Sequence, residues 1–319
     1  SFFITGATGL FGSWIINFLH WATKRGFAEP RVMTLVRREA PFLPNICDVI
    51  KGDIKNFELG DQKFDYLLHL AAPSASETFD GMSDLEKFDM LNIGTRQILN
   101  FAQSHVKRRT LVTSSGAVYG GFNRKRFNPI KEEEGASLPY NADRQGLGLG
   151  KKVLEFLTRE YCLNGRVDAS IARCFSFIGP GLPTNLHYAA GNFVSDAVNC
   201  KNIVINGDGL AKRSFMHLGD MVLWLFRILF NGRVGEDYNV GSAEVVSIRQ
   251  LAEMTRSLAG GKININVIGS ADDSTGIPPN FYYVPSVKKA SDELGLVHSC
   301  DLRNSLQSFI EFERRLIRE

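Results

Sequence analysis

Three glycines near the amino end have a spacing that suits the binding of a pyrophosphate. Gly6, Gly9 and Gly12 lie between an apolar run, 2–5, and a segment with helical periodicity that begins at Leu10. Gly6 permits a tight turn, Gly9 lets the backbone approach a phosphate, and Gly12 lets the helix pack closely on the strand. The amino terminus of the helix would add free N–H groups and a partial positive charge. The pattern therefore predicts a dinucleotide-binding turn.

Two arginines follow the second predicted strand, at the position that usually distinguishes NAD from NADP. An acidic side chain there would bond the ribose 2′-hydroxyl of NAD. This chain has Arg37 and Arg38 instead, and guanidinium groups suit a 2′-phosphate because they form charge-assisted, forked hydrogen bonds. The sequence therefore favours NADP slightly, and the alternative is that both arginines are solvated loop charges.

The order of the predicted elements indicates the fold that must position these residues. The predicted strands are 2–5, 31–36, 47–50, 64–70, 110–114, 169–173, 203–205 and 238–240, and the predicted helices are 10–23, 84–105, 148–163, 190–199, 218–230, 248–258 and 302–317. Alternation of strands and helices builds a parallel sheet with helices on both faces. We therefore predict an α/β fold: a Rossmann-type doubly wound parallel sheet in residues 1–174, to which segments from about 215–245 return, and a smaller C-terminal α/β lobe in 175–319.

The composition excludes several classes of protein. The 319 residues are 44% hydrophobic and 22% charged with a net charge of +3, which indicates an ordinary globular protein rather than a disordered or nucleic-acid-binding one. No apolar run reaches the roughly 20 residues of a membrane span, and no signal peptide is apparent. The five cysteines form no CxxC pair and the six histidines no ligand cluster, so we expect no metal site. We predict a cytoplasmic protein without nucleic-acid or membrane partners.

Motifs along nearly the whole chain resemble those of the extended short-chain dehydrogenase/reductases, and in particular the nucleotide-sugar epimerase/dehydratase family. In chain order they are TGxxGxxG at 5–12, GDI at 52–54, DYLLHLAA at 65–72, NIGT at 92–95, VTSSGAVYG at 112–120, RCFSFIGP at 173–180, GDG with a later Arg and Asp at 207–220, and YNVG at 238–241. The resemblance implies a nicotinamide cofactor, NAD or NADP, and a nucleotide-diphosphate sugar as substrate. It places that sugar mainly in the C-terminal lobe.

The resemblance also implies roles for individual residues. Ser115 would orient a sugar oxygen, and Lys151 would lower the pKa of the proton acceptor and hold the nicotinamide ribose. The implied substrate contacts are Ser115, Ser176 (where Asn is usual), Asn192 and Arg213. The implied cofactor contacts are Gly6, Gly9, Leu10, Phe11, Gly12, Arg37, Asp53, Ile54, Leu70, Ala71, Ala72, Asn92 and Lys151.

One position departs from the family pattern. The Tyr that exchanges the proton normally stands four residues before the lysine, because i and i+4 share a helix face, and that position holds Leu147. Tyr140 with Arg144 has the same spacing but leaves Lys151 unexplained. Three explanations are open: an engineered replacement, a natural variant that uses another acid/base such as Tyr119 or a substrate group, or a protein that binds cofactor and nucleotide without efficient turnover.

The residues after Ser115 restrict the reaction. The resemblance implies an acid there in 4,6-dehydratases and in uronic-acid decarboxylases, whereas this chain has Gly116 and Ala117. We therefore predict C4 epimerisation or 4-keto reduction of a nucleotide-linked hexose. The alternatives are a dehydratase-type enzyme, a catalytically impaired or redox-inert cofactor-binding protein, and an enzyme for small non-nucleotide carbonyl compounds. The resemblance also implies a homodimer through helices at about 84–105 and 148–163.

Overall fold

The computed structural model describes residues 1–27, 29–73, 77, 81–120, 128–134, 145–186, 188–260, 262–269 and 282–318. Its largest sheet contains β1 (Phe2–Thr5), β2 (Val32–Val36), β3 (Cys47–Lys51), β4 (Phe64–His69), β5 (Val106–Ser115), β6 (Ala169–Cys174) and β11 (Asp237–Val240). The order is β11-β6-β5-β4-β1-β2-β3, and every neighbouring pair is parallel. The chain reverses its direction of travel across the sheet between β1 and β4, which is where such sheets bind ligands at their carboxyl edge. The predicted Rossmann-type sheet is confirmed.

Helices cover both faces of this sheet. On one face lie α1 (Leu10–Lys24) and α5 (Leu218–Asn231), and on the other α2 (Asp84–His105) and α3 (Gly146–Leu163). The adjacent Leu67 and Leu68 of β4 are both fully buried, one in each core. The almost continuously apolar sequence of β4 follows from this, because a strand covered on both sides has no polar face.

The C-terminal elements form a second core beside the carboxyl edge of the sheet. It contains α4 (Ala189–Val198), α6 (Ile248–Ala259), α8 (Leu302–Arg318), β8 (Ile203–Ile205) and β13 (Ile265–Val267). The remaining described strands are β7 (Phe177–Ile178), β9 (Lys212–Arg213), β10 (Met216–His217), β12 (Val246–Ser247) and β14 (Tyr282–Tyr283), and one short helix, α7 (Lys288–Leu294), precedes α8. Although β11 lies late in the chain, it completes the large sheet. The division of the chain at residue 174 stays a prediction.

Within the described ranges, no helix is both long enough and apolar enough to cross a bilayer. Most predicted elements occur close to their predicted bounds. The main differences are at β5, which begins at Val106 rather than at residue 110, and at α3, which begins two residues earlier than predicted.

Candidate active site

The glycine turn brings β1, β4 and α1 into contact that side chains would prevent. Gly6 has a φ of +76°, and a Cβ there would lie 2.7 Å from the amide nitrogen of Ala71 and 2.8 Å from the carbonyl carbon of Leu70. A Cβ on Gly12 would lie 2.3 Å from the Gly6 carbonyl oxygen. Glycine is therefore required at both positions, and the turn lies against the residues that follow β4.

The amino terminus of α1 offers hydrogen-bond donors to a ligand. Gly9 caps this helix without a side-chain hydrogen bond and is exposed. Within the described part of the chain, no acceptor is bonded to the amides of Leu10, Phe11 or Gly12. Unpaired amides at a helix amino terminus bind anions, so this turn fits the pyrophosphate of a dinucleotide.

Four more of the implied cofactor contacts, Asp53, Ile54, Ala72 and Asn92, have defined surroundings. The Asp53 carboxylate accepts a hydrogen bond of 2.9 Å from the Lys55 amide, and Ile54 is buried against Gly94 of α2. The Asn92 amide nitrogen donates to the Phe88 carbonyl at 2.8 Å, while its buried Oδ1 has no donor among the described residues. Ala72 follows at the carboxyl edge of the sheet and is half-buried.

The arginines predicted to bind a 2′-phosphate have different surroundings. The Arg37 guanidinium forms an ion pair of 2.6 Å with the Glu77 carboxylate, and Arg38 is exposed. The Glu77 carboxylate is therefore already paired with Arg37, one of the two cations predicted to bind the 2′-phosphate. This pairing weakens the attraction of Arg37 for the phosphate of NADP.

Ser115 and Lys151 are placed around the carboxyl end of β5. Ser115 ends this strand, and its Oγ accepts a hydrogen bond of 3.1 Å from the Ala117 amide. Lys151, from α3, is buried, and its Nζ donates to the Thr113 carbonyl at 2.6 Å. Burial lowers the pKa of Lys151 to about 8, so the group keeps its charge at neutral pH while it remains easier to deprotonate than an exposed lysine.

A buried ionic network fixes the helix that carries Lys151. Glu155, one turn later, accepts two hydrogen bonds from Arg173, Nε to Oε1 at 2.9 Å and Nη2 to Oε2 at 2.8 Å. The Ser114 hydroxyl donates to the same carboxylate at 2.6 Å, and Arg173 also pairs with Asp237 of β11 at 2.6 Å. Paired in this way, the buried charges satisfy one another and hold α3 against β5, β6 and β11.

The position of the family tyrosine and the alternative acid/base Tyr119 both lie within the described residues, and neither supplies a group placed for proton transfer. Leu147 lies in the first turn of α3, one turn before Lys151, with 39% of its surface exposed. The Tyr119 hydroxyl is buried, donates to Asn239 at 2.8 Å and accepts from Arg173 at 2.8 Å. That hydroxyl is bound into the ionic network, which does not favour it as the acid/base. The pair Tyr140 and Arg144 lies outside the described residues.

A second tyrosine, which the sequence analysis missed, reaches Ser115 from β14. The Tyr283 hydroxyl is hydrogen-bonded to the Ser115 side chain. A Cβ on Gly116 would lie 2.3 Å from that phenolic oxygen. The Arg213 guanidinium carbon lies 5.9 Å from the centre of the same ring, within cation–π range. The one sequence feature that could have indicated this contact is Gly116, because a residue without a side chain after Ser115 leaves room for a side chain from another segment.

The remaining predicted substrate contacts lie further along the same edge. Asn192 donates to the Leu186 carbonyl at 2.7 Å, and its buried Oδ1 has no donor within the described ranges. The half-buried Ser176 is fixed through its carbonyl, which accepts from the Met216 amide at 3.0 Å. The structure thus connects Arg213 to Ser115 through Tyr283. The hydrogen bonds of Asn192 and Ser176 described above do not connect either residue to Ser115, Tyr283 or Arg213.

These features match a known family. The sequence model of the NAD dependent epimerase/dehydratase family matches residues 2–241. The chain belongs to this family.

Two curated relatives show the range of reactions among similar proteins. UDP-glucuronic acid decarboxylase 1 of Xenopus tropicalis is 26% identical over 251 residues, which are 79% of this chain and 57% of the relative. The chain thus spans little more than half the length of that relative. The dTDP-glucose 4,6-dehydratase of Streptomyces antibioticus is 25% identical over 323 residues, 98% of this chain and 91% of the relative.

A solved structure confirms the fold. UDP-glucuronic acid 4-epimerase from Bacillus cereus, in complex with NAD, superposes with a TM-score of 0.80 at 21% sequence identity, over 99% of this chain and 96% of that chain. At this identity the likeness establishes the arrangement of elements, and the chemistry must be argued from the site itself.

Proposed function

We propose that this family member epimerises C4 of a nucleotide-linked hexose or reduces a 4-keto group on it, with NAD or NADP as cofactor. The observation that carries the proposal is at Gly116. The residue after Ser115 has no side chain, and the phenol of Tyr283 fills the space that a carboxylate would need. Elimination of water and oxidative decarboxylation are therefore less well supported than a reaction that moves only a hydride and a proton.

The residues of the site can perform the steps of such a reaction. A bound nicotinamide cofactor supplies or accepts the hydride. The amides at the start of α1 would hold its pyrophosphate. Lys151, whose Nζ lies at the Thr113 carbonyl of β5, supplies a cation that would stabilise developing negative charge. The Ser115 hydroxyl orients the sugar oxygen. The buried network around Arg173 keeps these groups in place, since misplacement of reacting groups by even 1 Å is costly.

Two observations support a nucleotide-diphosphate sugar as the substrate. Arg213 is a half-buried cation, and burial lowers its pKa because the loss of solvent disfavours the charged form. The Asn192 Oδ1 is buried without a donor in the described part of the chain, and an unsatisfied buried acceptor is normally paired when a ligand is bound. The nucleotide is proposed to lie in the C-terminal lobe, and the cytoplasmic location is part of the same proposal.

Leu147 supports one alternative, a protein that binds both ligands but turns over slowly. It cannot exchange a proton, and it stands one helical turn from Lys151 on the helix face where the family tyrosine belongs. A positioned acid/base contributes about 10²–10⁴-fold to such reactions, so its loss without a substitute would leave cofactor binding intact and turnover low.

The experiment compares the protein with Leu147→Tyr and Lys151→Met on UDP-glucose, UDP-glucuronic acid, dTDP-glucose and a dTDP-4-keto sugar, with each cofactor, and follows products by proton NMR. Binding is measured separately as thermal stabilisation by each ligand. We expect inversion at C4 or an alcohol from the ketone, and loss of turnover in Lys151→Met. Formation of a 4-keto-6-deoxy sugar or release of carbon dioxide would contradict the proposed reaction.

Leu147→Tyr separates the remaining alternatives. A gain of about 10²–10⁴-fold would show that the protein lacks a working acid/base. Little gain over an already active protein would show that another group performs this role. Stabilisation by NAD or NADP without any turnover in either protein would favour a redox-inert binding protein. Failure of every uridine and thymidine diphosphate to stabilise the protein would favour a small carbonyl substrate.

A further inference from the structure

Tyr283 is the phenol that the geometry brings to the reacting end of β5. It lies in β14, which pairs in parallel with β9 so that Tyr283 is opposite Arg213. Its hydroxyl is hydrogen-bonded to Ser115, and its ring packs against Phe175 in a tilted arrangement with 4.7 Å between centroids. As a residue Tyr283 is half-buried, whereas the neighbouring Tyr282 is 5% exposed. The two adjacent tyrosines therefore differ in exposure.

One glycine makes room for this phenol and a second makes room for the segment that carries it. A Cβ on Gly116 would lie 2.3 Å from the Tyr283 oxygen and 2.8 Å from its ring carbon Cζ. A Cβ on Gly241 would lie 2.8 Å from Cγ of Pro285 in the same segment. The segment is also fixed by backbone hydrogen bonds, Ile130 amide to Val284 carbonyl at 2.9 Å and Ser286 amide to Ile130 carbonyl at 2.7 Å. The phenol is thus held in one position by packing and by hydrogen bonds.

We propose that Tyr283 is the acid/base of this site and that it transfers the proton which Leu147 cannot transfer. This rests on the proposed function. In the reductive direction the carbonyl carbon of the sugar gains the hydride that the dihydronicotinamide loses. Its oxygen gains the phenolic proton as the O–H bond of Tyr283 breaks. The ketone becomes an alcohol, the cofactor is oxidised, and the tyrosinate regains a proton from water.

The groups around the phenol act on its pKa in both directions. Burial raises the pKa of Tyr283, the Cys174 thiol adds to that effect, and the Ser115 hydrogen bond and the Arg213 cation act in the opposite direction. The phenol is therefore protonated at neutral pH and ready to donate. Arg213 stabilises the tyrosinate that forms, as the lysine of a Tyr–Lys pair does, while Ser115 holds the sugar oxygen beside the phenol.

The first test is kinetic and uses Tyr283→Phe, with Tyr282→Phe as the matched control. Phenylalanine keeps the ring and its packing, so we expect NAD binding and thermal stability to be retained in both variants. We expect kcat to fall about 10²–10⁴-fold in Tyr283→Phe only. Gly116→Ala should lower turnover similarly, because its methyl group would displace the phenol without removing it.

The second test needs no turnover. Ultraviolet absorbance follows the ionisation of tyrosines across the alkaline range, with and without NAD⁺. The positive nicotinamide of NAD⁺ lowers the pKa of a phenol close to it, so one tyrosine should ionise at lower pH when NAD⁺ is bound. We expect this shift in the unaltered protein and in Tyr282→Phe, and its loss in Tyr283→Phe.

The outcomes separate this inference from the proposed function. Unchanged turnover in Tyr283→Phe, or an NAD⁺-induced shift that survives in that variant, overturns the inference and leaves the proposed function standing. If no nucleotide sugar reacts, the proposed function fails, and the inference fails with it because it rests on that function. A shift that depends on Tyr283 would then show only that this phenol lies close to the nicotinamide.

Discussion

At the scale of single residues, the Arg37–Glu77 ion pair bears on the choice of cofactor. The pair lies where the sequence predicts a contact with a 2′-phosphate, and both side chains are partly exposed. A carboxylate close to Arg37 repels the dianionic phosphate of NADP and has little effect on the hydroxyl of NAD. The preference for NADP therefore depends on whether Glu77 or the phosphate holds the arginine.

Glu77→Gln should strengthen NADP binding and leave NAD binding nearly unchanged. Removal of one partly exposed charge is worth about 0.5–1 kcal/mol, which is about 2- to 5-fold in Kd. Titration calorimetry with both cofactors measures the ratio, and Glu39→Gln, at an exposed acid nearby, is the control. Equal effects on NAD and NADP would show that neither cofactor places a 2′ group beside Arg37.

At the scale of elements, the contact between α2 and α3 determines where Lys151 lies. The Gly146 amide donates to the Asp84 carboxylate at 2.9 Å, so that the start of α2 caps the start of α3. A Cβ on Gly146 would lie 2.4 Å from the Asp84 carbonyl oxygen, and one on Gly150 would lie 2.7 Å from a methyl carbon of Leu91. The helices approach this closely because α3 has glycines on the contact face.

Gly146→Ala should destabilise the protein although alanine is the better helix former. The added methyl group meets backbone rather than a movable side chain, so the helices must separate, at a cost of about 1–3 kcal/mol against a gain of at most about 1 kcal/mol in helix propensity. Urea unfolding measures the difference. Gly207→Ala, where the added Cβ meets nothing within 4 Å, should leave stability nearly unchanged. A variant Gly146→Ala as stable as the unaltered protein would contradict this account of the helix contact.

The elements differ in how far the sequence predicts them. Long apolar or periodic segments such as 64–69 and 84–105 carry a signal over many residues, and their predicted bounds match the structure closely. The two-residue strands β9 and β14 carry no periodicity, and they form because tertiary contacts align them. The seven-residue α7 is too short for a clear pattern. All three of these elements were missed.

The same difference explains which site residues could be predicted. Ser115 and Lys151 lie in motifs on long elements, so the resemblance to the family indicated them. Tyr283 meets Ser115 across 168 positions of sequence (283 − 115), through a strand that sequence patterns do not reveal. The structure also shows that the Arg37 guanidinium pairs with Glu77, a partner that lies in a segment without a clear motif.

At the scale of the whole molecule, the outer face of α2 and α3 supports the predicted homodimer. Leu149, Phe156 and Leu163 recur every seven residues along α3, so they share one face, and they are 43%, 60% and 81% exposed. Ile93 of α2 is 47% exposed. Two antiparallel or parallel copies of such a helix pair would bury a four-helix interface, and stable interfaces bury about 1,600 Å² in total.

Phe156→Glu should convert a dimer into a monomer, because two copies of the new carboxylate would be buried without partners at the interface. Light scattering coupled to gel filtration at micromolar concentration measures the mass. Phe42→Glu, at a similarly exposed phenylalanine (67%) outside these helices, should leave the mass unchanged and thus controls for a general effect of the added charge. A monomeric mass for the unaltered protein would contradict the dimer directly.

The same variant tests whether dimerisation stabilises the active site, because α3 also carries Lys151. If it does, Phe156→Glu should weaken cofactor binding as well as lower the mass.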